Sequence, residues 1–211
     1  VTMRGRDTGR TAVLHVRGAL PYKLRDWLNK GHKFVAHNST GFDALFLANN
    51  GVDIYKSQWY DTLTGELAIL AVDRRNTSVS LKASTQRRLG KALKREIDHR
   101  TWMSPELSDE QLGYAADDVV QLFELKDSQL ERSKEVEFNG DYPLKRSLET
   151  EMALVPTVMR MVLKGLPINT SKLSDYLFDQ TELIGSVNEE LIAAFGPIKL
   201  TSPLQVKKAF A

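Results

Sequence analysis

Residues 33–48 read KFVAHNSTGFDALFLA, and this stretch decides the fold class of the chain. Its first four residues form a short, mainly apolar run, which favours a β-strand. Residues 37–41 are polar and end in glycine, as loops do, and residues 42–48 have the apolar spacing of an α-helix. A strand that leads through a polar loop into a helix is typical of an α/β domain.

The segments on either side extend this pattern. Residues 1–16 predict a hairpin with turn-forming residues at its tip, and residues 20–28 predict a helix. Asp61 is the expected N-cap of a further helix. Residues 81–97 predict a basic amphipathic helix, and a capping box at residues 108–111 opens a long helix that continues to about residue 130.

The composition changes near residues 139–143, where the sequence NGDYP predicts a linker. Helical patterns follow at residues 149–163 and 171–195, and each is closed by a glycine and a proline. We therefore expect an α/β domain at residues 1–138, a linker at 139–148, and the helical start of a further domain at 149–211.

Composition and charge exclude several classes of protein. The 211 residues include no cysteine, which rules out a disulfide scaffold and a thiolate metal site. No apolar run reaches the roughly 18 residues of a membrane span, and the first 20 residues lack an apolar signal segment. We therefore expect a cytoplasmic protein without a membrane partner.

The net charge of +2 conceals an uneven distribution. Residues 1–105 carry 18 basic and 9 acidic side chains, whereas residues 106–211 carry 11 and 18. A basic half indicates a polyanionic partner such as nucleic acid. The alternative is an ordinary solvated surface whose charges happen to be unevenly divided.

Two short motifs carry the residue types of a metal site. Asp43 follows the polar loop, and Tyr114 lies four residues before Asp118, so the last two share one face of the predicted helix. Carboxylates hold hard divalent cations, and a phenol can position a water molecule. Each residue also has a plain structural explanation: a first-turn acid for Asp43, packing for Tyr114 and a solvated acid for Asp118. We expect His37 to be a core residue at the strand end rather than a ligand.

Taken together and in order, these motifs resemble those of the DEDD-type 3′–5′ exonucleases, in the variant whose third motif is Tyr-x-x-x-Asp. Residues 38–43 resemble the second motif of that family, and residues 61–62 its Asp-Thr pair at the next helix. Residues 80–90 are similar to its basic helix, and residues 107–118, LSDEQLGYAADD, closely resemble the approach to its third motif. The resemblance covers about residues 1–135.

This resemblance implies a ribonuclease-H-like α/β fold and hydrolysis assisted by two Mg²⁺ or Mn²⁺ ions. By it, Asp43 and Asp118 are metal ligands and Tyr114 orients the attacking water. Asn38 and Phe42 would contact the 3′-terminal nucleotide.

The basic helix is a further candidate for nucleic-acid binding, because its cations would neutralise phosphates; the alternative is a solvated amphipathic surface. Phe42 has the alternative of core packing beside Leu45 and Phe46. Asp117 competes with Asp118 as a metal ligand, but its spacing fits the family less well. The side chains of the basic helix expected to bind nucleic acid are Lys82, Arg87, Arg88 and Lys91.

The first motif of the family, Asp-x-Glu on the first central strand, is absent before Asn38. The only acids ahead of Asp43 are Asp7 and Asp26, in a predicted turn and a predicted helix. We therefore expect an incomplete fold that lacks its first strand, either as a fragment or through loss of the strand. Two carboxylates hold two divalent cations less well than four, so we expect little or no nuclease activity from these 211 residues alone.

The C-terminal third resembles the entry to the polymerase domain of family-A, DNA polymerase I-like enzymes, at residues 149–168 and 200–205. Nothing resembles the palm or fingers. The resemblance implies the proofreading part of a longer polymerase chain, acting on a single-stranded or frayed 3′ end of DNA in a bacterium or a bacteriophage-infected cell. The alternatives are a ribonuclease-D-like RNA exonuclease and a catalytically dead nucleic-acid-binding module.

Overall fold

The computed structural model describes residues 1–70, 77–93, 102, 104, 106–135, 137–138, 142–199 and 202–209. Contacts divide the chain into two compact units, Val1–Lys164 and Gly165–Ala211. The first unit combines strands with helices, and the described part of the second unit is helical.

Two pairs of strands form the β part of the first unit. Strands β1 (Thr2–Arg4) and β2 (Thr11–Val13) form an antiparallel hairpin, which confirms the turn predicted between them. Strand β3 (Lys33–Ala36) pairs in parallel with β4 (Gln58–Asp61), and the other edge of β3 has no strand partner in the described part of the chain. The register places Ala36 opposite Asp61. Both parallel strands therefore end at the same edge, where the loop that follows each strand begins.

The crossover between β3 and β4 builds much of the core. It contains helix α2 (Asp43–Asn49) and a short 3₁₀ helix (Ile54–Lys56), as a parallel pair requires. Ala44 and Leu47 are buried on one face of α2, and Trp59 of β4 packs in the same cluster. The indole N–H of Trp59 donates to the carbonyl of Ile54 at 2.9 Å, so its burial leaves no unpaired donor.

Helices α1 (Tyr22–Leu28), α3 (Thr62–Ile69) and α4 (Leu81–Leu89) complete this part of the unit. Asp61 caps α3 as predicted, since its side chain accepts from two backbone N–H groups of the first turn. The predicted basic helix is shorter than expected: it ends at Leu89 rather than residue 97, because Gly90 takes a left-handed conformation at φ 65°. Residues 94–97 of the prediction lie outside the described residues.

The long helix predicted after residue 108 is two helices in the structure, α5 (Asp109–Val120) and α6 (Leu122–Glu135). The predicted capping box is confirmed: Ser108 accepts from the Gln111 N–H, and the Gln111 side chain accepts from the Ser108 N–H at 2.7 Å. Helix α5 packs mainly against the β1–β2 hairpin and α6, and α6 packs against α3 and α4.

A small hairpin spans the start of the predicted linker at 139–148, with β5 (Glu137–Phe138) paired to β6 (Tyr142–Pro143); residues 139–141 lie outside the described residues. Helix α7 (Leu144–Lys164) follows directly and begins five residues before the predicted start at 149. Val155 and Met159 of α7 are buried in the core of the first unit. The compact unit therefore extends to Lys164, whereas a functional boundary at 139–148 stays a prediction.

The second unit contains helices α8 (Thr170–Phe195) and α9 (Pro203–Ala209). Asn169 caps α8 by accepting from the Lys172 N–H at 3.0 Å, and the helix ends at Gly196, close to the predicted bounds of 171–195. Among the described residues, no helix has the length and apolar character needed to cross a bilayer.

Candidate active site

The loop after β3 is held by one buried carboxylate. Asp61 is fully buried and accepts from the backbone N–H groups of Asn38 at 3.0 Å and Ser39 at 2.6 Å. The Ser39 hydroxyl donates to the same carboxylate at 2.6 Å. Asp61 also accepts from Leu63 and Thr64 at the start of α3. Hydrogen bonds to an ionised carboxylate are among the stronger ones in proteins, so Asp61 fixes the loop at residues 38–39 to the start of α3.

Asn38 takes a left-handed conformation with φ 64°, the one non-glycine residue of the described chain with a positive φ. Asparagine tolerates this region better than most residues. Its side-chain amide lies over Gly41, since a Cβ added at Gly41 would come within 2.6 Å of the Asn38 Oδ1. The exposed Asn38 amide can therefore occupy this position only because Gly41 has no side chain.

Asp43 begins helix α2 and lies close enough to Asp61 for their charges to interact. Burial, followed by the charge of Asp61, raises the pKa of the Asp43 carboxyl to about 6. Its position at a helix N-terminus favours the ionised form but does not outweigh these two effects. Asp43 is thus a carboxylate whose ionised form is disfavoured until a positive charge comes near it.

Phe42 and Phe46 point away from the core. Phe42 is 68 % exposed and Phe46 is 41 % exposed, whereas Ala44 and Leu47 occupy the buried face of the same helix. The alternative that Phe42 packs in the core beside Leu45 and Phe46 is therefore wrong. The exposure arises because Phe42 precedes α2 and the helix turns its small and aliphatic residues inward.

Tyr114 and Asp118 lie one turn apart on α5, and both are half-buried. The Tyr114 ring meets Trp102 edge to face, with the ring centroids 6.2 Å apart. Asp117, the competing acid, is exposed. Helix α5 packs mainly on the β1–β2 hairpin and α6, whereas α2 packs mainly on the 3₁₀ helix and α7. The helix that bears Tyr114 and Asp118 and the helix that bears Asp43 therefore pack against different elements.

Two of the four basic candidates, both on α4, form an internal ion-pair cluster. Arg87 and Arg88 both bind the fully buried Glu66 of α3, with Arg88 Nε 3.0 Å from Glu66 Oε2. Lys91 pairs with Glu124 at the surface, and Lys82 is exposed. A structural role thus accounts for both arginines, and their contact with nucleic acid stays a prediction.

His37 lies half-buried at the end of β3, as expected for a core residue. Its Nδ1 is 2.9 Å from the hydroxyl of Thr62, which itself donates to the carbonyl of Ala36 at 3.1 Å. Because that donation leaves the hydroxyl as an acceptor toward His37, Nδ1 carries the proton. Burial lowers the pKa of His37, so the ring is neutral near pH 7.

The acidic and histidine side chains of the described residues can be compared with the ligands that divalent ions require. Such ions prefer carboxylate oxygens, and Asp43 offers one whose ionised form a bound cation would stabilise. Within residues 1–70, 77–93 and the other described segments, no group of three or more acidic or histidine side chains comes together. The arrangement fits Asp43 as a ligand, but the described residues do not assemble the full set for two ions.

Comparison with known proteins supports the class that these residues indicate. A family model described as 3′–5′ exonuclease matches residues 12–132, which is more than half of the chain. The chain therefore belongs to the 3′–5′ exonuclease family. The predicted fold class, an α/β fold of the ribonuclease-H type followed by a helical segment, is confirmed.

A solved structure of Brucella melitensis NrnC bound to pGG is similar to this chain at 24% sequence identity and a TM-score of 0.49. The match covers 63% of this chain and 59% of the NrnC chain. No curated protein matches the chain.

Two features of the site have no direct signal in the sequence. The bonds from Asn38 and Ser39 to Asp61 go beyond its predicted helix cap and Asp-Thr resemblance, because they depend on the pairing of β3 with β4. The signal for this pairing is indirect, namely two strand-like runs that each lead into a helix. The exposure of Phe46 cannot be predicted, because apolar spacing alone does not show which apolar residues face solvent.

Proposed function

We propose that the chain binds a single-stranded 3′ end at the loop of residues 38–43 and takes part in metal-dependent removal of the terminal nucleotide. The observation that carries this proposal is the geometry of that loop. Asp61 accepts hydrogen bonds from the backbone at residues 38–39, while Asn38 and Phe42 are exposed near Asp43 in the chain. An amide, an aromatic ring and a carboxylate can recognise, respectively, a base or sugar edge, a base face and a cation.

In this proposal Asp43 and Asp118 bind the ions, Tyr114 positions water, and Asn38 and Phe42 hold the terminal nucleotide. A bound Mg²⁺ or Mn²⁺ would activate water and stabilise the leaving oxygen. The protein residues bind the ions and orient the water and the terminal nucleotide. Phe42 offers a face for the last base, and the fixed backbone of Asn38 limits how its amide can approach that base.

Two substrate classes fit the same site. The first is short RNA, as in the ribonuclease-D-like alternative. It agrees with the family match, which covers an exonuclease domain at residues 12–132 and no polymerase domain. The second is the frayed 3′ end of DNA in a family-A polymerase, which rests on the sequence resemblance at residues 149–168 and 200–205.

The test compares RNA and DNA hexamers with free or phosphorylated 3′ ends, followed by fluorescence anisotropy and by gel analysis in Mn²⁺. We expect tighter binding to the free 3′ end and slow shortening from that end. Asp43→Asn and Asp118→Asn should abolish shortening, whereas Asp26→Asn, on exposed α1, should not. A preference for RNA supports the first substrate class, and a preference for DNA supports the second.

Equal affinity for free and blocked 3′ ends would contradict the proposed function. Tight, salt-sensitive binding without shortening or metal dependence would instead support the catalytically dead binding module. Robust degradation that Asp118→Ala abolishes would refute the expectation of weak activity from these 211 residues alone.

Gly41→Ala should weaken oligonucleotide binding about ten-fold with little loss of stability. The new methyl group would meet the Asn38 amide at 2.6–2.9 Å, and that amide is a movable side-chain end, so Asn38 would be displaced rather than the fold broken. Anisotropy measures the affinity, and urea unfolding measures the stability.

Gly185→Ala is the matched control, because a methyl group there meets nothing within 4 Å. It lies inside α8 and should stabilise that helix by up to about 1 kcal/mol without changing affinity. Unchanged affinity in Gly41→Ala would show that the position of the Asn38 amide does not matter for binding.

A further inference from the structure

A row of exposed residues lies along α2, and the proposed function gives a role to only the first of them. Its exposed positions are 42, 46 and 49, which follow the i, i+4, i+7 spacing of one helix face. The Phe46 N–H donates to the Phe42 carbonyl at 2.9 Å, so Phe46 lies one turn after Phe42. We define Phe42, Phe46 and Asn49 as the α2 stripe.

The two exposed phenyl rings, one helical turn apart, form a contiguous apolar surface on this face of the helix. The opposite face already supplies Ala44 and Leu47 to the core, so α2 does not need these rings for packing. Apart from Asp43 at its start, the helix bears no charged side chain. The stripe therefore combines apolar faces with an amide at Asn49 and has no carboxylate beyond the site itself.

We propose that the α2 stripe is a stacking surface for single-stranded nucleic acid, on which Phe46 binds the base next to the terminal one. This inference rests on the proposed function, because Phe42 is placed against the last base there. The stripe is continuous with that site, and the half of the chain that contains it has a net charge of +9, which complements a phosphate backbone. These two observations favour a nucleic acid over an apolar protein segment as the occupant.

The spacing of the two rings also selects the form of the nucleic acid. The Cβ atoms at i and i+4 of a helix are about 5–6 Å apart, which exceeds the rise of about 3.4 Å per nucleotide in a duplex strand. Two bases held at that separation, one on each ring, would be unstacked from each other. A single strand can extend in this way more readily than a duplex, and aromatic stacking accepts any base.

The experiment uses the full chain and RNA and DNA hexamers that carry 2-aminopurine at the terminal or the penultimate position, in Ca²⁺. Stacking on a ring changes the fluorescence of the adjacent analogue. Phe46→Ala should weaken binding about ten-fold, as expected for the loss of one stacked base, and should remove the change at the penultimate position while keeping it at the terminal one. Phe46→Tyr should restore both, and Phe46→Leu should not.

Phe178→Ala is the control, because Phe178 is also an exposed phenylalanine but lies on α8 of the second unit. It should leave both signals unchanged. If the unmodified chain binds no oligonucleotide, the proposed function and this inference both fail. If it binds and Phe46→Ala has no effect, or Phe46→Leu binds as well as the unmodified chain, this inference alone fails, and the stripe is instead an apolar contact for protein.

Discussion

Replacement of Glu66 by glutamine should destabilise the first unit by about 3–5 kcal/mol, the range for breaking a buried ion pair. Glu66 is fully buried between Arg87 and Arg88, whose side chains are 29% and 11% exposed. The Gln129 amide also donates to it at 3.1 Å. Glutamine keeps the shape of the side chain but removes the negative charge that both arginines bind.

The cost arises because two guanidinium groups would then share a sheltered site without a counterion. One Glu66 oxygen accepts from both arginines, and the other accepts from Arg88 and Gln129. A glutamine amide would direct N–H groups at one of these donor pairs. The cluster joins α4 to α3, so we expect the first unit to unfold at lower urea concentration.

Tryptophan fluorescence in urea measures this effect selectively. All three tryptophans, Trp27, Trp59 and Trp102, belong to the first unit. Glu124→Gln is the matched control: it also removes a salt bridge, with Lys91, but both partners are about half exposed. Such surface pairs contribute less than about 1 kcal/mol. Equal losses in the two variants would show that burial of the Glu66 cluster has no special effect on stability.

Local signals in the sequence predicted the elements and several of their ends. The β1–β2 hairpin, strand β3, the Ser108–Gln111 capping box and the Asp61 cap depend on residues within a few positions of one another, and the structure contains all of them. Gly90 was also a local stop signal. It was missed because the basic and apolar periodicity continues past it to residue 97.

Contacts between distant residues could not be predicted in the same way. Arg87 and Arg88 were expected to bind phosphate because a sequence of basic residues does not reveal a buried partner; that partner, Glu66, lies more than 20 positions earlier. Asp61 reaches Asn38 only because β3 and β4 end at the same edge. The residue types of the site were therefore predictable, whereas the groups that hold them in place required the fold.

The raised pKa of Asp43 has a consequence for stability as a function of pH. A carboxyl with an ordinary pKa of 3.8 in the unfolded chain and about 6 in the folded chain binds its proton more tightly when folded. Ionisation therefore opposes folding. The cost is absent below about pH 3.8, grows as pH rises through the interval, and is complete above about pH 6.

Asp43→Asn should therefore stabilise the first unit while it impairs the proposed function. At 1.36 kcal/mol per pH unit, the interval from 3.8 to about 6 corresponds to at most about 3 kcal/mol at pH 7.5 and about 1 kcal/mol at pH 4.5. Urea unfolding at the two pH values, followed by tryptophan fluorescence, measures the difference between the variant and the unmodified chain.

Asp26→Asn, at an exposed position of α1, is the control, and its effect on the free energy of unfolding should not increase with pH. A stabilisation that is the same at both pH values would mean that the ionisation of Asp43 is not its source. Mn²⁺ should reduce the advantage of the variant at pH 7.5, because a cation at Asp43 favours the ionised carboxylate of the unmodified chain.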